Sequence, residues 1–100
     1  MKFLAIEREL STQGFSEDLL KMEAARVWEL EKAGVIREIY FKKETREAVL
    51  ILECEDGETA ESHLSTLPLV KAQLIEFSVN ELVPYDGYER LFSPDKRVFP

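Results

Sequence analysis

A β-hairpin is predicted by residues 35–54, which read VIREIYFKKETREAVLILEC. Residues 35–41 and 48–54 are strand-like, and the polar connection at 42–47 has a length that joins antiparallel neighbours. The second strand is apolar without alternation over residues 49–52. Because a continuous apolar run is typical of a strand covered on both faces, this strand is predicted to be central in its sheet.

One further strand is predicted before the hairpin, over residues 2–8. Its alternation places Leu4 and Ile6 on one face, and on the other face Phe3, Ala5 and Glu7. Glu7 is therefore an acidic residue on an otherwise apolar face, where a charge needs a partner.

A helix is predicted between this strand and the hairpin. Ser16 is a suitable N-cap, Ala33 is the expected last residue, and Gly34 is a good residue to follow the helix. At about 100° per residue, Glu23 lies among the apolar residues of one side. These residues are Leu19, Leu20, Ala24, Val27, Trp28 and Leu30.

A second helix and a last strand are predicted after the hairpin. The helix covers residues 58–66 and is closed by Pro68, since proline disfavours helical backbone in the residue before it. Residues 74–83 alternate as a strand, which Pro84 ends.

The predicted order β-α-β-β-α-β gives an α+β, ferredoxin-like sandwich over residues 1–84, with an antiparallel sheet and two helices on one face. We place Phe3, Ala5 and one side of the apolar third strand on the other sheet face. Because that face should not meet water, two copies are expected to pack sheet to sheet as a homodimer or higher homo-oligomer. The tail, residues 85–100, is rich in large apolar side chains and is expected to pack on the domain or on the partner subunit.

The net charge of the chain argues against nucleic acid as a partner. The net charge is −7, with 20 acidic against 13 basic residues. The only basic group is Lys42, Lys43 and Arg46, and Glu44 and Glu47 interleave with it. This pattern is typical of a solvated hairpin turn, and nucleic acid binding, which needs clustered cations, is not expected.

Cys54 is the sole cysteine, so no intramolecular disulfide can form and a reducing compartment is expected. The first apolar run is too short for a signal peptide or a membrane span, so the expected location is the cytoplasm, with no membrane partner.

A family resemblance is carried by residues 64–70, Leu-Ser-Thr-Leu-Pro-Leu-Val, followed by residues 75–82, Ile-Glu-Phe-Ser-Val-Asn-Glu-Leu. This stretch resembles the C-terminal half of the muconolactone isomerase family, in which a Leu-Pro-Leu step precedes the last strand and a short tail. The resemblance implies a dimeric α+β barrel and an isomerase that shifts a double bond within a small unsaturated lactone acid, without a metal or an organic cofactor. The acidic first helix departs from the family's longer, basic one.

Two residues are candidates for proton transfer. His63 is the only histidine, on the inner side of the second helix, and histidine titrates near neutral pH. Glu23, if desolvated, would have the raised pKa that an acid or base needs. The alternatives are a half-buried, inert histidine and a glutamate that reaches water or an arginine.

Glu7, Arg37 and Tyr40 are candidates for substrate binding, because strands can project them between sheet and helices or into a dimer interior. An ion pair of Glu7 with Arg37 or Arg8 and a packing role for Tyr40 are the alternatives. One histidine and one cysteine on different elements lack zinc-site spacing, and neither a metal nor another cofactor is expected.

Two functions therefore remain open. One is a cofactor-free isomerase that acts by proton transfer on a small unsaturated lactone or carboxylic acid. The other is a non-catalytic dimeric module that binds a small ligand or another protein.

Overall fold

A computed structural model describes residues 1–92 of the chain. The elements follow the predicted order, with a short extra helix before the last strand and a 3-10 helix, Gly87–Leu91, after it. They are β1 (Lys2–Glu9), α1 (Glu17–Lys32), β2 (Ile36–Phe41), β3 (Ala48–Glu53), α2 (Gly57–Leu64), α3 (Pro68–Lys71) and β4 (Ile75–Leu82). None of the helices within residues 1–92 is long and apolar enough to cross a membrane.

The four strands form one sheet in the order β2-β3-β1-β4, and all neighbouring strands are antiparallel. The apolar strand β3 lies between β2 and β1, so its predicted central position is confirmed. This order and the element sequence are those of the predicted ferredoxin-like α+β sandwich.

Helix α1 has the predicted ends. The Ser16 hydroxyl accepts a hydrogen bond from the Leu19 N–H at 3.1 Å, which satisfies one of the free donors of the first turn. The helix stops at Ala33, and Gly34 follows with φ of 80°, a conformation that glycine adopts without steric cost.

The proline after α2 begins a helix rather than closing one. α2 ends at Leu64, slightly earlier than predicted, and Pro68 is the first residue of α3. Proline suits this position because the first helical N–H has no intrahelical acceptor in any case. The prediction that Pro68 closes a helix was therefore wrong.

The helices cover the sheet face that carries Phe3 and Ala5. These residues are only 2% and 0% exposed, and they belong to the buried core with Leu30 from α1 and Leu64 from α2. The predicted alternation of β1 was correct, but the prediction that its Phe3 side faces away from the helices was wrong. Both sides of β1 are apolar, so their composition does not reveal which one the helices cover.

We call the opposite side of the sheet the open face. Its apolar centre is formed by Leu4 and Ile6 from β1 and by Val49 and Ile51 from β3, which pair in register. All four are only partly buried. Sheet-to-sheet pairing stays a prediction, and the open face is the surface that it would use.

Two apolar regions are less buried than the sequence suggests. Trp28, assigned to the inner side of α1, is 58% exposed, and the Lys32 ammonium lies 5.7 Å from its ring centroid. Residues 83–92, which we call the C-terminal arm, expose Tyr85, Tyr88 and Phe92. Packing of the tail on the domain or on the partner subunit stays a prediction, and residues 93–100 lie outside the described part of the chain.

Candidate functional site

A cavity of about 480 Å³ lies between the sheet and the helices. Its wall is mainly apolar and includes three aromatic rings, those of Phe15, Phe41 and Phe77. Phe41 and Phe77 come from β2 and β4 at the two edges of the sheet, whereas Phe15 precedes α1. The cavity therefore occupies the end of the helix-covered face where β1 finishes.

Glu7 projects into this cavity from β1. The strand alternation places it in line with Phe3 and Ala5, and it is only 8% exposed. Its carboxylate accepts a hydrogen bond from the Ala48 N–H of β3 at 3.0 Å. Burial raises the pKa of Glu7, because the charged form is poorly solvated there. The hydrogen bond from Ala48 opposes this shift.

Glu23 faces the same cavity from α1. It is half-buried and accepts a hydrogen bond from the Leu69 N–H at 2.9 Å. Burial raises the pKa of Glu23, and the negative charge of Glu7 raises it further. The bond to Leu69 also supports α3, since Leu67 at the N-cap provides no side-chain cap.

Both carboxyl groups line the cavity, and both have raised pKa values. Glutamates with raised pKa values act as general acids and bases near neutral pH. The arrangement can therefore remove a proton from a bound compound and return one to it.

His63 lies elsewhere. It is partly buried on α2 and lines a shallow depression with Met1, Cys54 and Thr59, near the start of β1. It does not line the cavity that holds Glu23, so the two predicted proton-transfer residues are not brought together. The catalytic role of His63 stays a prediction, and the titratable side chains that line its depression are Glu53, Cys54 and Glu55.

Of the three predicted substrate-binding residues, Glu7 alone lines the cavity. The Arg37 Nε donates to the Gly34 carbonyl oxygen at 2.7 Å, and the Tyr40 hydroxyl donates to the Glu38 carboxylate at 2.8 Å. Both side chains are exposed. The expected partner of Glu7, an arginine, is replaced by a backbone N–H.

Sequence reasoning missed Arg46 and the aromatic wall. Arg46 was assigned to a solvated hairpin turn, yet its side chain lines the cavity. The inward direction of Phe41 and Phe77 follows from their registers with Ala48 and Glu7, which a single sequence does not give. Across residues 1–92, no group of three or more His, Cys, Asp or Glu side chains is arranged to hold a metal ion.

No protein-family model matches the chain, and no curated protein matches it by sequence. Solved structures do match. Muconolactone isomerase superposes with a TM-score of 0.73 and 17% identity, covering 86% of this chain and 92% of that chain. The 5-chloro-2-hydroxyhydroquinone dehydrochlorinase of Burkholderia phenoliruptrix, in complex with 2,5-dihydroxybenzoquinone, superposes with a TM-score of 0.60 and 20% identity, covering 85% and 96%.

These identities support the architecture and not an activity. The predicted resemblance is confirmed at that level, because the matches span most of both chains with the same α+β unit. The chain has a muconolactone isomerase-like, ferredoxin-like α+β fold.

Proposed function

We propose that the chain is a cofactor-independent isomerase that moves a proton within a small unsaturated lactone or carboxylic acid bound in the cavity. The observation that carries this proposal is a pair of carboxyl groups with raised pKa values, buried Glu7 and half-buried Glu23, that face a mainly apolar cavity. The cavity volume of about 480 Å³ falls within the usual range of small-molecule sites, about 300–1,000 Å³.

In this mechanism the Glu7 carboxylate removes a proton from the carbon next to the ligand's carbonyl group. The electron pair of the broken C–H bond enters the conjugated system and forms an enolate. The neutral Glu23 carboxyl then donates its proton to the far carbon of that system, which restores the carbonyl and moves the C=C bond. Glu7 ends protonated and Glu23 ionised, and proton exchange with water resets the pair.

The structural neighbours support a ligand of this size. One is an isomerase by name, and the other was solved with a small quinone ring. Since this fold accommodates a small cyclic compound in the second protein, the proposed ligand is a cyclic or conjugated compound of similar dimensions.

Hydrogen exchange tests the proposal. Unsaturated lactones and carboxylic acids are incubated with the protein in D₂O, and deuterium entry and double-bond migration are followed by NMR. We expect exchange in the wild type and a loss of about 10²–10⁴-fold in Glu7→Gln and in Glu23→Gln, as for removal of a general acid or base. Glutamine keeps an acceptor oxygen for the Ala48 and Leu69 N–H groups, so the local fold is preserved.

His63→Gln is the matched control, because it changes the only histidine of the chain, and this residue does not line the cavity. We expect it to retain full exchange activity. If His63→Gln loses exchange activity and Glu7→Gln retains it, the reaction takes place at the depression beside α2, which would contradict the proposal.

A non-catalytic dimeric module is the second candidate. Two observations favour it: the partly buried apolar centre of the open face and the exposed side chains of the C-terminal arm. It predicts a homodimer in sedimentation experiments together with no thermal stabilisation by any lactone or acid. Stabilisation by ligands present well above their dissociation constants would favour the isomerase instead.

A further inference from the structure

Arg46 stands at the opening of the cavity. It follows the polar turn between β2 and β3, it is exposed, and its side chain lines the cavity wall. Its guanidinium carbon lies 4.4 Å from the centroid of the Phe41 ring. Because such a distance gives an attractive cation–π contact, Phe41 holds the guanidinium beside the cavity wall.

The backbone of the hairpin fixes this position. Arg46 has φ of 63°, a left-handed conformation that is uncommon for a residue with a side chain. Its N–H donates to the Lys42 carbonyl oxygen at 2.9 Å, and the Lys42 N–H donates to the Glu47 carbonyl oxygen at 2.8 Å. An unfavourable conformation persists only where surrounding contacts determine it, as these two bonds do here.

Arg46 has no ion-pair partner within the described chain. Lys42, four residues earlier, pairs with Glu47 at 3.4 Å, whereas Arg46 forms no ion pair among residues 1–92. It is also the one cationic side chain among the described residues that line the cavity. A guanidinium without an ion-pair partner can offer several N–H donors to an anion that enters from solvent.

The two ends of the cavity therefore differ in charge. An anionic group placed deep in the cavity would meet the ionised form of Glu7 in apolar surroundings, where repulsion is strong. The same group placed at the opening would meet Arg46, whereas the exposed carboxylate of Glu9 on the rim is screened by water. These charges would favour one orientation of an anionic ligand, with its charge outward and its uncharged part toward Glu7 and Glu23.

We propose that Arg46 is the specificity-determining residue of the site: it binds the carboxylate of the ligand and directs the uncharged, conjugated part toward the two glutamates. This inference rests on the proposed function, because it assigns the orientation of the same ligand in the same cavity.

The test compares an unsaturated lactone carboxylic acid with its methyl ester, which has the same body and no charge. Binding of each is measured by calorimetry to the wild type, to Arg46→Gln and to Lys43→Gln. The Lys43 variant is the matched control, since it removes the same charge from the same hairpin at an exposed position that does not line the cavity.

We expect the wild type to bind the acid more tightly than the ester. Arg46→Gln should weaken acid binding by about tenfold, the usual size of a lost charge-assisted hydrogen bond, and leave ester binding unchanged. Lys43→Gln should change neither by more than about twofold. Arg46→Lys should fall between, since it keeps the charge without the planar pair of donors.

Three results would overturn the inference. Equal losses for acid and ester in Arg46→Gln would show that the side chain only packs against the ligand. Equal effects of Arg46→Gln and Lys43→Gln on binding of the acid would show that the positive charges of the hairpin attract it without a specific contact. Tighter binding of the ester than of the acid by the wild type would refute the anion site while leaving the cavity as the binding site. Binding of neither compound would instead refute the proposed function, and the inference with it.

Discussion

The helix-covered face of the sheet is tightly filled at one end and open at the other. At the filled end, Phe3, Leu52 and Ile36 lie in one row across β1, β3 and β2, and all are almost completely buried. Four residues further along β1, Glu7 lies opposite Phe77, and the cavity replaces a packed core. The difference indicates that one end of the face holds the fold together while the other is free to bind.

Alanines occur at both ends with opposite effects. Ala60 on α2 is fully buried in the core, where its small side chain allows helix and sheet to approach closely. Ala24 on α1 lines the cavity and leaves part of that space open. The same residue type therefore closes one end of the face and opens the other, depending on what lies opposite it.

The largest expected effect comes from a cavity created at the filled end. Leu52→Ala should lower the free energy of unfolding by about 2–5 kcal/mol, because it removes buried methyl groups that the neighbours cannot replace. Leu20→Ala, at an exposed residue that lines the open end, should cost less than about 1 kcal/mol. Chemical denaturation measures both, and equal costs would mean that the two ends are packed alike.

A matched pair of enlargements gives the next largest effect. Ala60→Leu should cost about 1–3 kcal/mol by overpacking, whereas Ala24→Leu, also in a helix, should change stability by less than about 0.5 kcal/mol. Ala24→Leu should nevertheless abolish ligand binding, because the added side chain occupies the cavity. Thermal unfolding with and without ligand separates the two readouts. Unchanged binding in Ala24→Leu would place the ligand elsewhere.

The smallest effect concerns the charge at the open end. Burial raises the pKa of Glu7, so the folded protein holds this proton more tightly than the unfolded chain does. The stabilisation from Glu7 is therefore complete below the unfolded-chain pKa of 4.5 and is lost as the pH rises through the folded-state pKa. Glu7→Gln does not ionise, so it should be more stable than the wild type at pH 8, by about 0.5–2 kcal/mol.

This difference should shrink as the pH falls toward 4.5, which denaturation at a series of pH values measures. Glu9→Gln is the control, since Glu9 lines the same cavity but is exposed, and it should change stability by less than about 0.5 kcal/mol. A Glu7→Gln variant that is less stable than the wild type at pH 8 would mean that the carboxylate is structurally required.

Much of the fold could be predicted from local chemistry. The cap at Ser16, the glycine after α1 and the uninterrupted apolar run of β3 depend on neighbouring residues, and each gave the correct element or position. Glu23 was also detectable, because a charged residue within an apolar helix side is visible from helical periodicity alone. Its hydrogen bond to Leu69 was not, since it joins residues 46 positions apart.

The remaining parts of the site depended on contacts that local patterns do not encode. His63 and Glu23 both lie on inner helix sides, yet they line different depressions, and α1 contacts β2 whereas α2 contacts β4. From the sequence, Arg46 was interpreted as a solvated residue of the hairpin turn. Its left-handed backbone and its contact with the Phe41 ring, which place it on the cavity wall, are visible only in the structure.

By itself, the sequence determined the element order, the central strand and the grouping of Phe3, Ala5 and Glu7 on one side of β1. These follow from periodicity, which separates two faces but does not say what covers either one. Only the tertiary structure decided that the helices cover the Phe3 side and leave Leu4 and Ile6 on the open face. The physical reason is that both sides of β1 are apolar, so the choice depends on how α1 and α2 pack across the whole sheet, and the same packing leaves Glu7 and Glu23 beside a cavity.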